Sequence, residues 1–385
     1  MGQGLRYDDV FRQHSVKIIQ LLPALNTGGV ERGTIELSRA LVNGGHQSYV
    51  ISGGGLLVSQ LENEGGIHLT MPIGRKHIAT LGCVTKLRQY ILQIKPDILH
   101  VRSRIPAWVV YLACRLLPKR HRPLVVSTVH GLYSKPFFSQ VMTFSDHIIA
   151  ISQTVKDYLL TQYGVPEKKI SLVYRGCDSK VFCRRPIDAQ WRSQWFQQFP
   201  QTKGKRLLTL PARITKWKGV DTMLELISQL DNTYHALIVG PVDPSKQKYQ
   251  EALNAIIRGK GLEKRITFCG RRNDIDEIYR LSSLVYNLST HPEPFGRTVC
   301  EACNVGTKVI SWRIGGPMES LLALFPEGLV EPGNLQALID KTVDLVDRDD
   351  LIPKADIFTT EKTTTQTIRL YHGLCSEEMV AHEGN

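Results

Sequence analysis

Short apolar runs alternate with longer stretches of helical spacing along most of the chain. Residues 16–22 (VKIIQLL) form an apolar block of strand length, which predicts a buried parallel strand. A turn over 23–29 follows. Residues 30–43 then place Val30, Ile35, Leu37, Leu41 and Val42 at helical spacing, which predicts an amphipathic helix. Further strands are expected at 47–52, 97–101, 124–128 and 147–151, with helices at 84–94 and 153–163 between them.

The pattern loosens over 174–204, where Gly, Pro and charged residues gather, and this stretch reads as an inter-domain connection. Alternation then restarts. Strands are expected at 205–210, 235–239, 265–268, 284–288 and 308–311, and helices at 217–230, 245–258 and 335–346, with a last helix from Thr360 to Met379. Alternating β and α segments predict doubly wound parallel sheets, so the fold class is α/β. The length fits two such domains. Their expected limits are 1–185 and 186–359, followed by a helix and tail over 360–385. Ligands of such sheets bind at the carboxyl ends of the strands, so the chemistry belongs in the loops that follow strands.

Charge changes the picture because it is one-sided. Residues 1–185 hold 24 Lys and Arg against 11 Asp and Glu, whereas the rest is close to neutral, so the whole excess of +12 sits in the first half. Such a field attracts anionic lipid, nucleic acid or a phosphorylated acceptor. Nucleic acid is disfavoured: no reading module is recognisable and the cations lack interleaved aromatic residues. The eight cysteines are scattered, and the polar start MGQGLRYDDVFRQH lacks an apolar leader core, so reduced cytosolic thiols are expected. Cys300 and Cys303 form a lone C-x-x-C inside a predicted helix, for which no zinc or redox role is expected. No apolar run reaches the roughly 18 residues of a membrane span. The nearest, Ile105 to Leu117, is broken by Arg115 and followed by Lys119, Arg120, His121 and Arg122, with Trp108 beside them. Any membrane contact is therefore peripheral.

Five loops carry candidate chemistry. The strongest is His291-Pro-Glu293-Pro-Phe295-Gly296-Arg297-Thr298-Val-Cys-Glu301, which follows a strand and opens a helix. It supplies two carboxylates, a glycine that permits close backbone approach, and a helix N-terminus whose N–H groups suit an anion. Arg297 stands one turn before Glu301, within reach of it. The second is Arg213-Ile-Thr-Lys-Trp-Lys218-Gly219, which places two cations in the loop after a strand, where they suit an anionic group. The third is Gly28-Gly29, between the first strand and the first helix. It lacks the G-x-G-x-x-G spacing, which disfavours a dinucleotide. The fourth is His130, just after the strand at 124–128. The fifth is Gly315-Gly316-Pro317-Met-Glu319, where successive glycines ahead of a helix offer a backbone nest for phosphate. Asp274-Ile-Asp276 has the look of a metal-binding D-x-D, yet its setting reads as a helix cap, and no metal is assigned to it.

Glu293 and Glu301, with Glu-Pro-Phe-Gly between and seven residues separating the two carboxylates, resemble the Glu–seven residues–Glu motif of the family-4 retaining glycosyltransferases. Arg213 and Lys218 match that family's Arg and Lys-Gly, Gly28 and Gly29 its first flexible loop, and Gly176 and Asp178 its domain junction. The resemblance spans nearly the whole chain. It implies a GT-B fold: two Rossmann-like domains facing a cleft, with a C-terminal helix returning to the first. It also implies that Glu293 holds hydroxyls of the donor sugar and that Glu301 accepts bonds from the nucleotide ribose. His130 is then expected near the sugar or acceptor. The implied donor set is Gly28, Gly29, Arg213, Lys218, Glu293, Phe295, Gly296, Arg297, Thr298, Glu301, Gly315 and Gly316. Within the family, Glu-Pro-Phe-Gly-Arg-Thr is most similar to transferases that build lipopolysaccharide core and related surface glycans.

The function expected is thus transfer of a hexose, with retention, from a GDP- or UDP-sugar to an anionic glycolipid or glycan acceptor. Neither metal nor other cofactor is called for. The expected place is the cytoplasm, peripheral on the inner face of the membrane. Two other classes stay open at this point: a nucleotide-sugar epimerase of the same architecture, and a non-catalytic basic protein that binds membrane or nucleic acid.

Overall fold

The apolar block 16–22 becomes strand β1 (Lys17–Leu21), with four of its five residues buried. It is flanked by two parallel neighbours, β2 (Gln47–Ser52) and β4 (Ile98–Val101). In the computed structural model, residues 15–74, 80–134, 136–242 and 247–383 are described. The polar start read as leaderless falls outside that range, as do residues 245–246 of one expected helix.

The first sheet is completed by β3 (Ile67–Thr70), β5 (Leu124–Val129), β6 (His147–Ala150) and β7 (Ile170–Leu172). Its seven strands run in the order β3-β2-β1-β4-β5-β6-β7, all parallel. The second sheet has β8 (Arg206–Pro211), β9 (Tyr234–Val239), β10 (Ile266–Gly270), β11 (Leu284–Asn287), β12 (Val309–Trp312) and β13 (Leu329–Val330). Its order is β10-β9-β8-β11-β12-β13, again parallel. In each sheet the strand order turns outward from one point, between β1 and β4 and between β8 and β11. Loops diverge there and leave a crevice at the carboxyl ends.

Local sequence accounts for the helices that matter. Gly29–Asn43 buries Thr34, Ile35, Leu37, Ser38 and Leu41, one stripe at helical spacing. Gln153–Tyr163 starts where the Ser152 hydroxyl accepts the Val155 N–H and stops at Gly164, which is left-handed. Two compact units result. One takes in the chain up to Tyr174 and again from Thr360; the other is Arg175–Thr359.

That division corrects the expected limit at 185. Residues 175–185 belong with the second unit: Arg185 pairs with Asp276 and Glu277, and Arg184 donates to the carbonyl of Pro353. The expected loose connection also holds a helix, Ala189–Gln198. Asp188 caps it by accepting the Trp191 N–H, and it packs Trp195 against Leu207, Leu237, Val239 and Ile278. The last helix, Thr360–Glu383, returns to the first unit. Its Tyr371 is fully buried among Ile18, Leu41, Ile98 and Val126 and donates to or accepts from His100 Nδ1 at 2.6 Å.

Candidate active site

The second unit gathers its chemistry at the carboxyl ends of three adjacent strands. After β8 the chain passes Arg213 and makes a 3₁₀ turn at Lys216–Lys218. It enters helix Val220–Gln229 through Gly219, which has φ +79°. A Cβ at Gly219 would stand 2.2 Å from the Leu288 carbonyl oxygen, so only glycine lets this loop lie against the end of β11. Thr290 fastens the same loop by donating its N–H to the Trp217 carbonyl at 2.8 Å.

This closeness brings Lys218 to Glu293. The ammonium stands 2.7 Å from Oε1, and both side chains are 15% exposed. The same oxygen accepts from Asn287 Nδ2 at 3.1 Å and from the Ser289 hydroxyl. All three donors meet one oxygen, and among the described residues Oε2 receives none. Lys218 also lies 4.2 Å above the Trp217 ring. Burial lowers the Lys218 pKa, Glu293 opposes that, and nearby Arg213 adds to it. Lys218 is thus held beside a carboxylate fixed in one orientation, with the Arg213 charge near enough to act on it.

Glu301 lies one turn into helix Arg297–Val305 and is buried. Its Oε1 accepts from Arg297 Nε at 2.7 Å, and Oε2 faces the Tyr279 hydroxyl at 3.4 Å. Burial first, then the Glu301 charge, pushes the Tyr279 hydroxyl well above the usual tyrosine range, so it stays a donor. The site therefore offers two carboxylates with preset partners, two cations and a helix N-terminus. Sequence profiles of two families match the chain: the one described as Glycosyltransferase Family 4 over residues 27–181, and the one described as Glycosyl transferases group 1 over residues 192–358.

The chain is a family-4 glycosyltransferase.

A glycosyltransferase from Rickettsia africae has the same fold as this transferase, with a TM-score of 0.80 and 27% identity over 93% of this chain and 98% of its own. HepE of Anabaena, solved with UDP and glucose, shares the fold at a TM-score of 0.71 and 23% identity, over 94% and 95% of the two chains. N-acetyl-α-D-glucosaminyl L-malate synthase of Bacillus anthracis is 25% identical over 283 residues, which cover 70% of this chain and 71% of the relative. The GT-B architecture, with its two Rossmann-like sheets, follows from these likenesses and from the topology.

Of the residues singled out in sequence, the transferase brings Arg213, Lys218, Glu293, Gly296, Arg297, Thr298, Glu301, Gly315 and Gly316 to one edge of its second sheet. Gly28, Gly29 and His130 lie at the carboxyl edge of the first sheet, after β1 and β5, in the other unit. The Phe295 side chain is buried against Phe358, with ring centroids 5.8 Å apart, so its ring packs the core. Two expectations need correction. The Gly316 N–H, expected to face a phosphate, donates to the Glu293 carbonyl at 2.8 Å. A Cβ at Gly316 would lie 2.4 Å from Phe295 Cα, so this glycine serves to seat the carboxylate loop. Asp274 likewise stands at the N-cap of helix Ile275–Leu281 without capping it; its carboxylate accepts from Arg272 and Trp191.

Sequence reasoning missed Asn287, Ser289 and Tyr279, which hold the two carboxylates. Polar residues at the very end of an apolar strand, as in Asn287-Leu-Ser289, were the available signal. It also missed Arg102, buried after β4, which donates to Gln20 Oε1 at 2.6 Å and to the Gly33 carbonyl at 3.4 Å.

Proposed function

We propose that this transferase moves a hexose, with retention of anomeric configuration, from a UDP- or GDP-sugar to a hydroxyl of an anionic surface-glycan acceptor such as a lipopolysaccharide core. The observation that carries this reading is the Lys218–Glu293 pair, with Arg213 close by. Glu293 Oε2 is left to accept hydroxyls of the sugar, while Lys218 and Arg213 face the charge that grows on the departing diphosphate. The bond from the anomeric carbon to the phosphate oxygen breaks, and its electron pair stays on the diphosphate. The acceptor oxygen bonds to the same face of that carbon, and its proton passes to the leaving phosphate oxygen. Lys218 and Arg213 supply the positive charge, so the reaction is expected to run without a metal. Glu301 and Arg297 receive the nucleoside, and His130 stands with the acceptor or sugar. The UDP-bound relative supports a uridine donor, and the surplus of cations in residues 1–185 supports an anionic acceptor at the inner face of a membrane.

The test is a panel of nucleoside diphosphates and their sugars, read by thermal shift in the presence of chelator, followed by product anomer assignment by NMR. A shift with one nucleotide that vanishes in Glu301→Ala, and a product of unchanged configuration, fit the reading. An inverted product, or turnover that stops on chelation, would sink it.

A further inference from the structure

Helix Arg104–Arg115 has two faces. Pro106, Ala107, Val109, Val110 and Ala113 are buried. The opposite stripe carries Arg104, Trp108, Tyr111, Leu112 and Arg115, again at helical spacing. Around that stripe the first unit exposes large apolar side chains: Phe137 is 89% exposed, Leu116 58%, Phe144 42% and Phe138 39%. They form one surface. Trp108 lies 6.4 Å from the Phe138 ring and 6.1 Å from Phe144, Tyr111 lies 5.0 Å from Phe144, and the Trp108 indole N–H donates to the Phe138 carbonyl at 3.1 Å. An aromatic shelf this open on a folded unit marks a surface made for contact.

At its foot a cavity of about 380 Å³ opens among Tyr111, Arg115, Lys119, Arg122, Phe144 and Asp146. Arg122 is held in place by the carbonyls of Leu117 and Arg115, and Arg115 donates to the Tyr111 hydroxyl. Among the described residues neither Arg115, Lys119, Arg120 nor Arg122 has a carboxylate within ion-pair distance. Asp146, the acidic side chain of the cavity, accepts the Val125 N–H at 2.8 Å and so ties down the start of β5. The mouth is therefore positive, and it adjoins the exposed rings. Cations at headgroup level with aromatic and leucyl side chains beside them are what an anionic bilayer interface takes up.

We propose that this face seats the chain on an anionic phospholipid bilayer. Phe137, Phe138, Phe144 and Leu116 enter the interface, and the cavity between Arg115, Lys119 and Arg122 takes a lipid phosphate. The inference rests on the membrane part of the function proposed above and adds to it the residues and the ligand chemistry.

The full chain is sedimented with vesicles of phosphatidylcholine alone and of phosphatidylcholine with a third of phosphatidylglycerol. The wild type should partition onto the anionic vesicles only. Phe137→Ser, and the double variant Arg115→Glu with Lys119→Glu, should lower that partition more than about tenfold. A control with the same change of charge elsewhere, Lys168→Glu with Lys180→Glu, should keep most of it. Unaltered melting temperatures identify variants that remain folded. If both patch variants bind like the wild type, the site is wrong while the membrane reading stands. If the wild type ignores anionic vesicles, the membrane reading falls and this inference with it. A wild-type dimer in light scattering, dissociated by Phe137→Ser, would assign the face to a second copy of the chain and overturn the proposal.

Discussion

The Lys218 ammonium and Glu293 Oε1 meet at 2.7 Å although they come from loops after different strands, and the same carboxylate oxygen keeps Asn287 and Ser289 as further donors. Lys218→Ala therefore removes a cation from the place where diphosphate charge develops and leaves Glu293 with two of its three partners. Turnover is expected to fall by about 100-fold or more, with stability reduced by no more than about 2 kcal/mol. Initial rates with the preferred donor, together with urea unfolding, check this; ordinary turnover in the variant would remove Lys218 from the mechanism.

Glu301 is set apart from bulk water by its burial and meets Arg297 and the Tyr279 hydroxyl. In Glu301→Ala the thermal shift produced by a nucleoside diphosphate should disappear. The buried Tyr279 hydroxyl also loses its acceptor, which costs about 1 kcal/mol or more. A nucleotide shift of wild-type size in this variant would place the ribose elsewhere.

Gly219 and Gly259 make a matched pair of tests. At Gly219 the backbone is left-handed and an added Cβ would strike the end of β11, so Gly219→Ala should cost roughly 2 kcal/mol or more and displace Lys218. At Gly259, the last residue of helix Gln247–Gly259, an added Cβ meets nothing within 4 Å. Gly259→Ala should be neutral or stabilise by up to about 1 kcal/mol. Equal melting temperatures for the two variants would contradict the packing described at the end of β11.

Acid should weaken the second unit through His235. This residue is buried on β9, bonded to the Thr267 hydroxyl at 2.8 Å, and burial lowers its pKa from 6.5 to about 4, with Lys205 and Arg265 adding to the effect. Above pH 6.5 the imidazole is neutral whether the chain is folded or not. Between 6.5 and about 4 the unfolded chain takes a proton that the folded chain refuses. Stability present above 6.5 is thus lost as the pH falls, by about 3 kcal/mol at the low end. His100, fully buried in the first sheet and also held below its usual value, acts with the same sign. Urea midpoints measured across this range should flatten in His235→Asn, and an unchanged slope would refute the assignment.

Much of the fold was legible because parallel strands covered on both sides read as plain apolar runs; β1, β2, β4, β8 and β9 lie within a residue of their expected limits. Strands β3, β7 and β13 were missed. They are short and stand at or near sheet edges, where half-burial leaves a weak pattern, as in Ile67-His-Leu-Thr. Helix Ala189–Gln198 was missed because its only buried residue is Trp195, so the surrounding polar sequence looked like a linker. At the candidate site, Glu293, Glu301, Lys218 and Arg213 could be named from the family resemblance. The partners that fix them were not, since the loop after β11 must fold back to bring Asn287 and Ser289 to Glu293, and two helices must pack to bring Tyr279 to Glu301. Gly316 was read for its N–H, and only the closeness of Phe295 explains why it is glycine.

The first unit closes its core with Tyr371, a residue that leaves the ribosome after the whole of Arg175–Thr359 has been made. The later unit is continuous in sequence, so it has every one of its own elements while the earlier one, its strands already made, still waits for helix Thr360–Glu383 to cover Ile18, Leu41 and Ile98. Order of synthesis and order of completion are therefore reversed. Protease protection of stalled nascent chains should appear over residues 206–330 before it appears over 17–172, and the opposite order would show that the N-terminal sheet matures without its final helix.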